Sequence, residues 1–140
     1  MAKKSTLDEL ETVFRRFYRQ MVSDWSKKVE GEISGSQAMI LERLISEGPQ
    51  KPTELAAMLD ITVSAVTSLS DKLVRAKLVE RRRSDEDRRA VLLLATPAAE
   101  GVLQRVRAQR YALFQHYFQG LSEQDMQHLV RIFHTILGTH

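Results

Sequence analysis

The sequence predicts a mainly α-helical fold with one small β-hairpin wing. Three observations carry that expectation. Apolar residues recur at three- and four-residue spacing through most of the chain, each run opened or closed by a cap, Gly or Pro. Only two short runs suit β-structure, Leu78 to Arg83 and Ala90 to Ala95, and a charged SDEDR tip separates them. A short helix, a tight turn and a second helix come directly before that hairpin.

Leu7, Leu10, Phe14, Phe17, Tyr18, Met21 and Trp25 form the stripe of a long first helix, with Thr6 and Glu9 spaced as a capping box at its start. Gly31 to Gly35 should break it. Ser34 and Gln37 form another capping box, ahead of Ala38, Leu41, Leu44 and Ile45, and this second helix should end at Glu47-Gly48-Pro49. Pro52 suits the first turn of a third helix, where its missing N–H costs nothing; Leu55, Ala56 and Leu59 are its inner side and Asp60 its end. Thr62 should cap a fourth helix with Val66, Leu69 and Leu73 inward and Ser64, Ala65, Thr67, Ser68, Asp71, Lys72 and Arg75 outward.

After the hairpin, Thr96-Pro97 reads as a cap and first turn for a fifth helix carrying Val102, Leu103, Val106, Leu113, Phe114, Tyr117 and Phe118 as far as Gly120. Ser122 should cap a sixth, with Met126, Leu129, Val130, Phe133, Ile136 and Leu137 inward. The first and fifth helices, roughly 23 to 25 residues each, would be about 35 Å long, as long as a globule of this size is wide. One copy cannot cover both stripes. The expectation is a two-fold dimer in which residues 1–33 and 97–140 supply dimerisation helices and residues 34–96 project as a separate lobe, all within one domain spanning 1–140.

Composition narrows the function. The 140 residues contain no Cys, which removes disulfides, thiol redox switching and cysteine metal sites. The longest apolar run, AVLLLA at 90–95, is far short of a membrane span, and MAKKSTLDELE lacks an apolar signal region, so a soluble cytoplasmic protein with no membrane partner is expected. Net charge is only +3, but from Lys72 to Arg89 eight basic residues face four acids, a local excess of +4.

Helix, turn, helix and hairpin in that order make a winged helix-turn-helix. The start of its second helix is slender enough to enter a major groove, where Ser64, Ala65, Thr67 and Ser68 would approach base edges or phosphates and Lys72 the backbone. The hairpin would reach the flanking minor groove, a narrow electronegative slot that suits an arginine at its tip; Arg88 and Arg89 there, and Arg81, Arg82 and Arg83 on the strand, are the candidate DNA contacts, the strand arginines being alternatively a solvated sheet edge.

The segment ELAAMLDITVSAVTSLSDKLVRAKLVERRRSDEDRRAVLLLAT resembles the MarR family of bacterial winged-helix transcription regulators, whose wing carries an Asp-x-Arg element, here Asp87-Arg88-Arg89, before a strand ending here in Ala95-Thr96. The long flanking helices and the Ser34-x-x-Gln37 opening extend the likeness over nearly the whole chain. The resemblance implies a homodimer on a pseudo-palindromic duplex DNA operator, often a repressor released by a small phenolic or anionic effector. It also implies that Arg89 is the minor-groove arginine and that Asp87 orients it by an ion pair. Two positions depart from the family pattern: Lys77 stands where Gly usually follows the recognition helix, so a left-handed residue there would be strained or the turn would differ, and Ala95 replaces Leu.

Other readings compete. Phe14, Tyr18, Met21 and Trp25 could line an effector pocket or simply form dimer core. Asp85, Glu86 and Asp87 are adjacent on a tip, a poor geometry for converging on one ion, and His116, His128, His134 and His140 lack zinc-helix spacing, so neither metal nor cofactor is expected. With no phosphate loop and no nucleophile or carboxylate constellation, an enzyme is not expected. The alternative of another class is a winged-helix protein-interaction module or antirepressor whose basic wing meets an acidic partner instead of DNA.

Overall fold

Eight elements follow one another in the order the patterning implies: α1 (Thr6–Lys28), α2 (Gly35–Glu47), α3 (Pro52–Leu59), α4 (Val63–Arg75), β1 (Val79–Arg83), β2 (Val91–Ala95), α5 (Pro97–Phe118) and α6 (Glu123–Leu137). The structure, a computed structural model, describes residues 5–28 and 33–139. The expected break at Gly31, and His140, lie outside the described residues.

The core belongs to the middle of the chain. Ile40 and Leu41 of α2, Leu55 of α3, Val66 and Leu73 of α4, Leu93 of β2 and Leu103 of α5 are all essentially inaccessible. Gln37 does two things at once. Its Oε1 accepts the Ser34 backbone N–H (2.8 Å) and its backbone N–H donates to Ser34 Oγ (3.2 Å), completing the expected capping box, while its Nε2 donates to the Leu69 carbonyl (3.3 Å) and so ties α2 to α4. The hairpin pairs antiparallel with Val79 opposite Ala95 and Arg83 opposite Val91. Leu78 and Ala90, expected in the strands, lie just outside them. A third edge, which the sequence pattern does not reveal, is added by Gln50: its N–H and carbonyl exchange hydrogen bonds with Leu93 at 3.1 and 2.8 Å.

Several expected caps hold and two change. Thr62 Oγ1 accepts the Ala65 N–H at 3.0 Å and Ser122 Oγ the Asp125 N–H at 3.1 Å. At α1 the box is shifted by one residue: Ser5 and Asp8 make the reciprocal pair, at 3.1 and 3.3 Å, instead of Thr6 and Glu9, because a shorter carboxylate still reaches back across one turn. Thr96 occupies the cap position before Pro97, but its hydroxyl donates to the Lys77 carbonyl (2.7 Å) and its N–H to the Leu78 carbonyl (3.0 Å). It fastens α5 to the turn after α4.

The apolar stripe of α6, which the dimer expectation assigns to a second copy, is not covered by the chain's own elements. None of its residues is buried; Val130, Phe133, Ile136 and Leu137 are exposed, and Met126 and Leu129 are half-buried. Leu7, Leu10, Phe14 and Tyr18 of α1 and Phe114 of α5 are exposed as well. Helical periodicity identifies an apolar face without saying which surface covers it.

Candidate nucleic-acid interface

Helix α4 is held at both ends. Beyond the Thr62 cap, its last turn closes with Leu78 N–H on the Leu73 carbonyl (2.9 Å) and Lys77 N–H on the Val74 carbonyl (3.0 Å). That paired pattern needs a left-handed residue, and Lys77 supplies it at φ 63°. The turn is therefore kept, and Lys77 carries the strain that Gly would avoid.

On the outer face of α4, Ser64, Thr67, Ser68, Lys72 and Arg75 are exposed, with Ala65 and Asp71 partly so. Val66 and Leu73 point inward as expected, while Leu69 is only half-buried. Ser70 is the buried residue that patterning missed, because its polar side chain conceals a position four beyond Val66 and three before Leu73. Its Oγ has no hydrogen-bond partner among the described residues. Thr67 Oγ1 donates to the Val63 carbonyl at 3.0 Å, so the hydroxyl proton is used within the helix.

The wing's arginines divide into two sets. Arg81 on β1 pairs with Asp71 on α4, and Arg82 with Glu80 at 3.7 Å. Arg83, Arg88 and Arg89 are exposed and carry no ion pair among the described residues. The tip is built on side-chain-to-backbone bonds: Ser84 Oγ accepts the N–H groups of Glu86 (3.3 Å) and Asp87 (3.4 Å), Asp87 Oδ1 accepts that of Arg89 (3.0 Å), and Ser84 N–H meets the Ala90 carbonyl (3.0 Å). Asp87 thus acts on Arg89 through its backbone N–H; no ion pair to the Arg89 guanidinium occurs among the described residues. Asp71–Arg81 and the Thr96 bonds tie α4 and the wing together, so the exposed basic and hydroxyl side chains belong to one lobe.

The four aromatic and sulfur residues proposed as effector contacts separate. Met21 and Trp25 line a cavity of about 190 Å³ between α1 and α5, together with Val22, Leu113, Phe114, Tyr117 and Phe118. Phe14 and Tyr18 stack on each other at 6.3 Å and do not line it. Tyr117 donates its hydroxyl to the Asp24 carboxylate and lies 3.3 Å from the Gln20 carbonyl. Burial, then the hydrogen bond to Asp24 and its negative charge, push the phenol from 10.0 up to about 12. Sequence reasoning missed Asp24 and Gln20, since a lone Gln-x-x-x-Asp on a helix carries no motif. Among the described residues no group of three or more His, Asp or Glu could hold a metal ion, and no helix is long and apolar enough to cross a membrane.

Comparison with known proteins gives a consistent result. The family model described as MarR family matches residues 33–91. The chain is 30% identical to the uncharacterized HTH-type transcriptional regulator YpoP of Bacillus subtilis, over 89% of each chain. In three dimensions it is similar to the YusO protein of Bacillus subtilis, with a TM-score of 0.82 and 21% identity over the full length of both chains. It is also similar to a mutant MarR from E. coli solved in complex with operator DNA, with a TM-score of 0.75 and 19% identity over 98% of this chain and 99% of that one.

Proposed function

Because this chain belongs to the MarR family of HTH-type transcriptional regulators, we propose that it acts as a homodimeric, ligand-responsive repressor of a pseudo-palindromic operator. In this reading residues 34–96 form the reading lobe and residues 1–33 and 97–140 the dimerisation helices. Ser64, Ala65, Thr67 and Ser68 face the major groove and Lys72 the phosphate backbone; Arg82, Arg83, Arg88 and Arg89 serve the minor groove and backbone; Asp87 shapes the tip; Arg81 braces the wing. The observation that carries it is that Arg83, Arg88 and Arg89, without an ion pair among the described residues, lie on a wing braced against α4. The MarR neighbour solved with operator DNA lends support. Two such lobes would need a separation of about 34 to 36 Å to meet successive major grooves.

The cavity between α1 and α5 is proposed as the effector site, where occupancy would shift the population of lobe spacings. Its apolar wall, with the Asp24 carboxylate behind Tyr117, suits a small neutral aromatic better than an anion.

The test begins with selection of bound fragments from random duplex DNA, followed by gel-shift titration. Arg89→Ala should weaken operator binding by about 1 to 3 kcal/mol while leaving the assembly state intact. Equal affinity would remove the wing from the mechanism. Failure to bind any duplex in dilute salt would remove the function.

A further inference from the structure

The groups most used for base readout are missing where this helix would meet bases. Bidentate recognition of guanine uses Arg or Lys, and of adenine Asn or Gln. From Ile61 to Ser70, ITVSAVTSLS, there is none of these. The hydroxyls are partly committed as well: Thr62 Oγ1 caps the helix and Thr67 Oγ1 donates to the Val63 carbonyl. Thr67 is itself exposed, and beside that committed hydroxyl it carries a γ-methyl group. Val63, four residues earlier and so on the same edge of the helix, is 43% exposed although β-branched and apolar, and it belongs to no core cluster. Ile61 is also exposed, but it stands just before the cap, the usual place of a hydrophobic staple, and so has a local role of its own.

In the major groove one base alone presents an apolar group, the C5-methyl of thymine. We propose that Val63 and Thr67 are specificity-determining residues that read thymine methyl groups, so that each half-site carries T·A at the step facing this edge. The inference rests on the operator-binding reading above and adds to it the chemistry by which sequence is distinguished. The Ser64 and Ser68 hydroxyls, which tolerate several bases, would position the helix without discriminating strongly.

Deoxyuridine tests this directly, since it differs from thymine only by the methyl group. The selected operator is prepared with thymine or with deoxyuridine at the conserved half-site step, and the full-length protein is titrated against both. Wild type should lose about fourfold in affinity for each methyl removed, the fold-change expected for one methylene-sized group withdrawn from contact. The double variant Val63→Ala, Thr67→Ser should bind thymine DNA as weakly as wild type binds deoxyuridine DNA and should distinguish the two no longer. Thr67→Val, which keeps the methyl group and loses the hydroxyl, should retain the discrimination. An operator with no half-site thymine, or wild-type binding indifferent to deoxyuridine, overturns the proposal while leaving operator binding standing. The same deoxyuridine penalty in the double variant would assign the effect to DNA shape and overturn it too. No affinity for any duplex would instead reject operator binding itself, and this inference with it.

Discussion

Lys77 shows how a single residue can oppose its own backbone. The paired bonds from Lys77 and Leu78 that end α4 require φ near +60°, and the turn adopts it at 63° despite a side chain with a Cβ. Lys77→Gly should relieve that strain and raise stability by about 0.5 to 1 kcal/mol, read as a shifted urea midpoint at unchanged slope. A lower midpoint would mean that the Lys77 side chain contributes more than the strain costs. Tyr117 makes a second prediction. Its folded-state value, about 12, is raised above the ordinary 10.0, which favours the neutral phenol; that contribution is complete below pH 10 and is lost as pH rises to about 12. In a phenolate absorbance titration one of the three tyrosines should therefore ionise late, and Asp24→Asn should bring it back toward 10. A Tyr117 phenol that ionises at its ordinary 10.0 in wild type would show that neither its burial nor its contact with Asp24 persists in solution. Neither Asp24 nor Ser70 was legible in the sequence: one needs a partner 93 residues away, and the other is a polar residue at an apolar position.

At the scale of elements, local chemistry was readable wherever a residue acts on its own turn. The Ser34–Gln37, Thr62 and Ser122 caps, and Pro97 opening α5, follow from spacing alone. Thr96 did not follow, because its hydroxyl finds a carbonyl 19 residues back, which a local pattern cannot express. The same limit applies to Arg81. As sequence it is one more wing arginine, yet the fold places it on Asp71, ten residues earlier on α4. Both side chains are substantially exposed, so the pair adds at most about 1 kcal/mol to stability, and its effect is on geometry and on available charge. Arg81→Gln should thus leave the slope of log affinity against log salt nearly unchanged. Asp71→Asn, by releasing Arg81 to phosphate, should steepen it by about one. Fluorescence anisotropy across a salt series measures both; a slope reduced by about one in Arg81→Gln would make Arg81 a direct phosphate contact.

At the scale of the whole molecule, the helices at both ends of the chain carry apolar faces that the chain does not cover for itself. Leu7 and Leu10 of α1 and Ile136 and Leu137 of α6 are each more than 60% exposed, on faces whose periodicity is that of core helices. A second copy laid against them would remove that surface from water at roughly 25 cal/mol per Å². Leu10→Asp with Ile136→Asp should then give a species of half the mass in sedimentation equilibrium, and wild-type Tm should rise with protein concentration. A wild type that sediments as a single chain would contradict the homodimer. The amino-acid sequence by itself determined the element order, most caps, the wing with its arginines and the apolar faces, since each depends on spacing within a turn or a strand. Only the tertiary structure decided which of those faces the chain covers for itself, that Gln50 adds an edge to the wing, that Arg81 is held by Asp71, and that Met21 and Trp25 share a cavity from which Phe14 and Tyr18 are absent. The physical reason is that periodicity specifies the direction in which a side chain points, whereas burial, pairing and cavity depend on what a distant part of the chain places there.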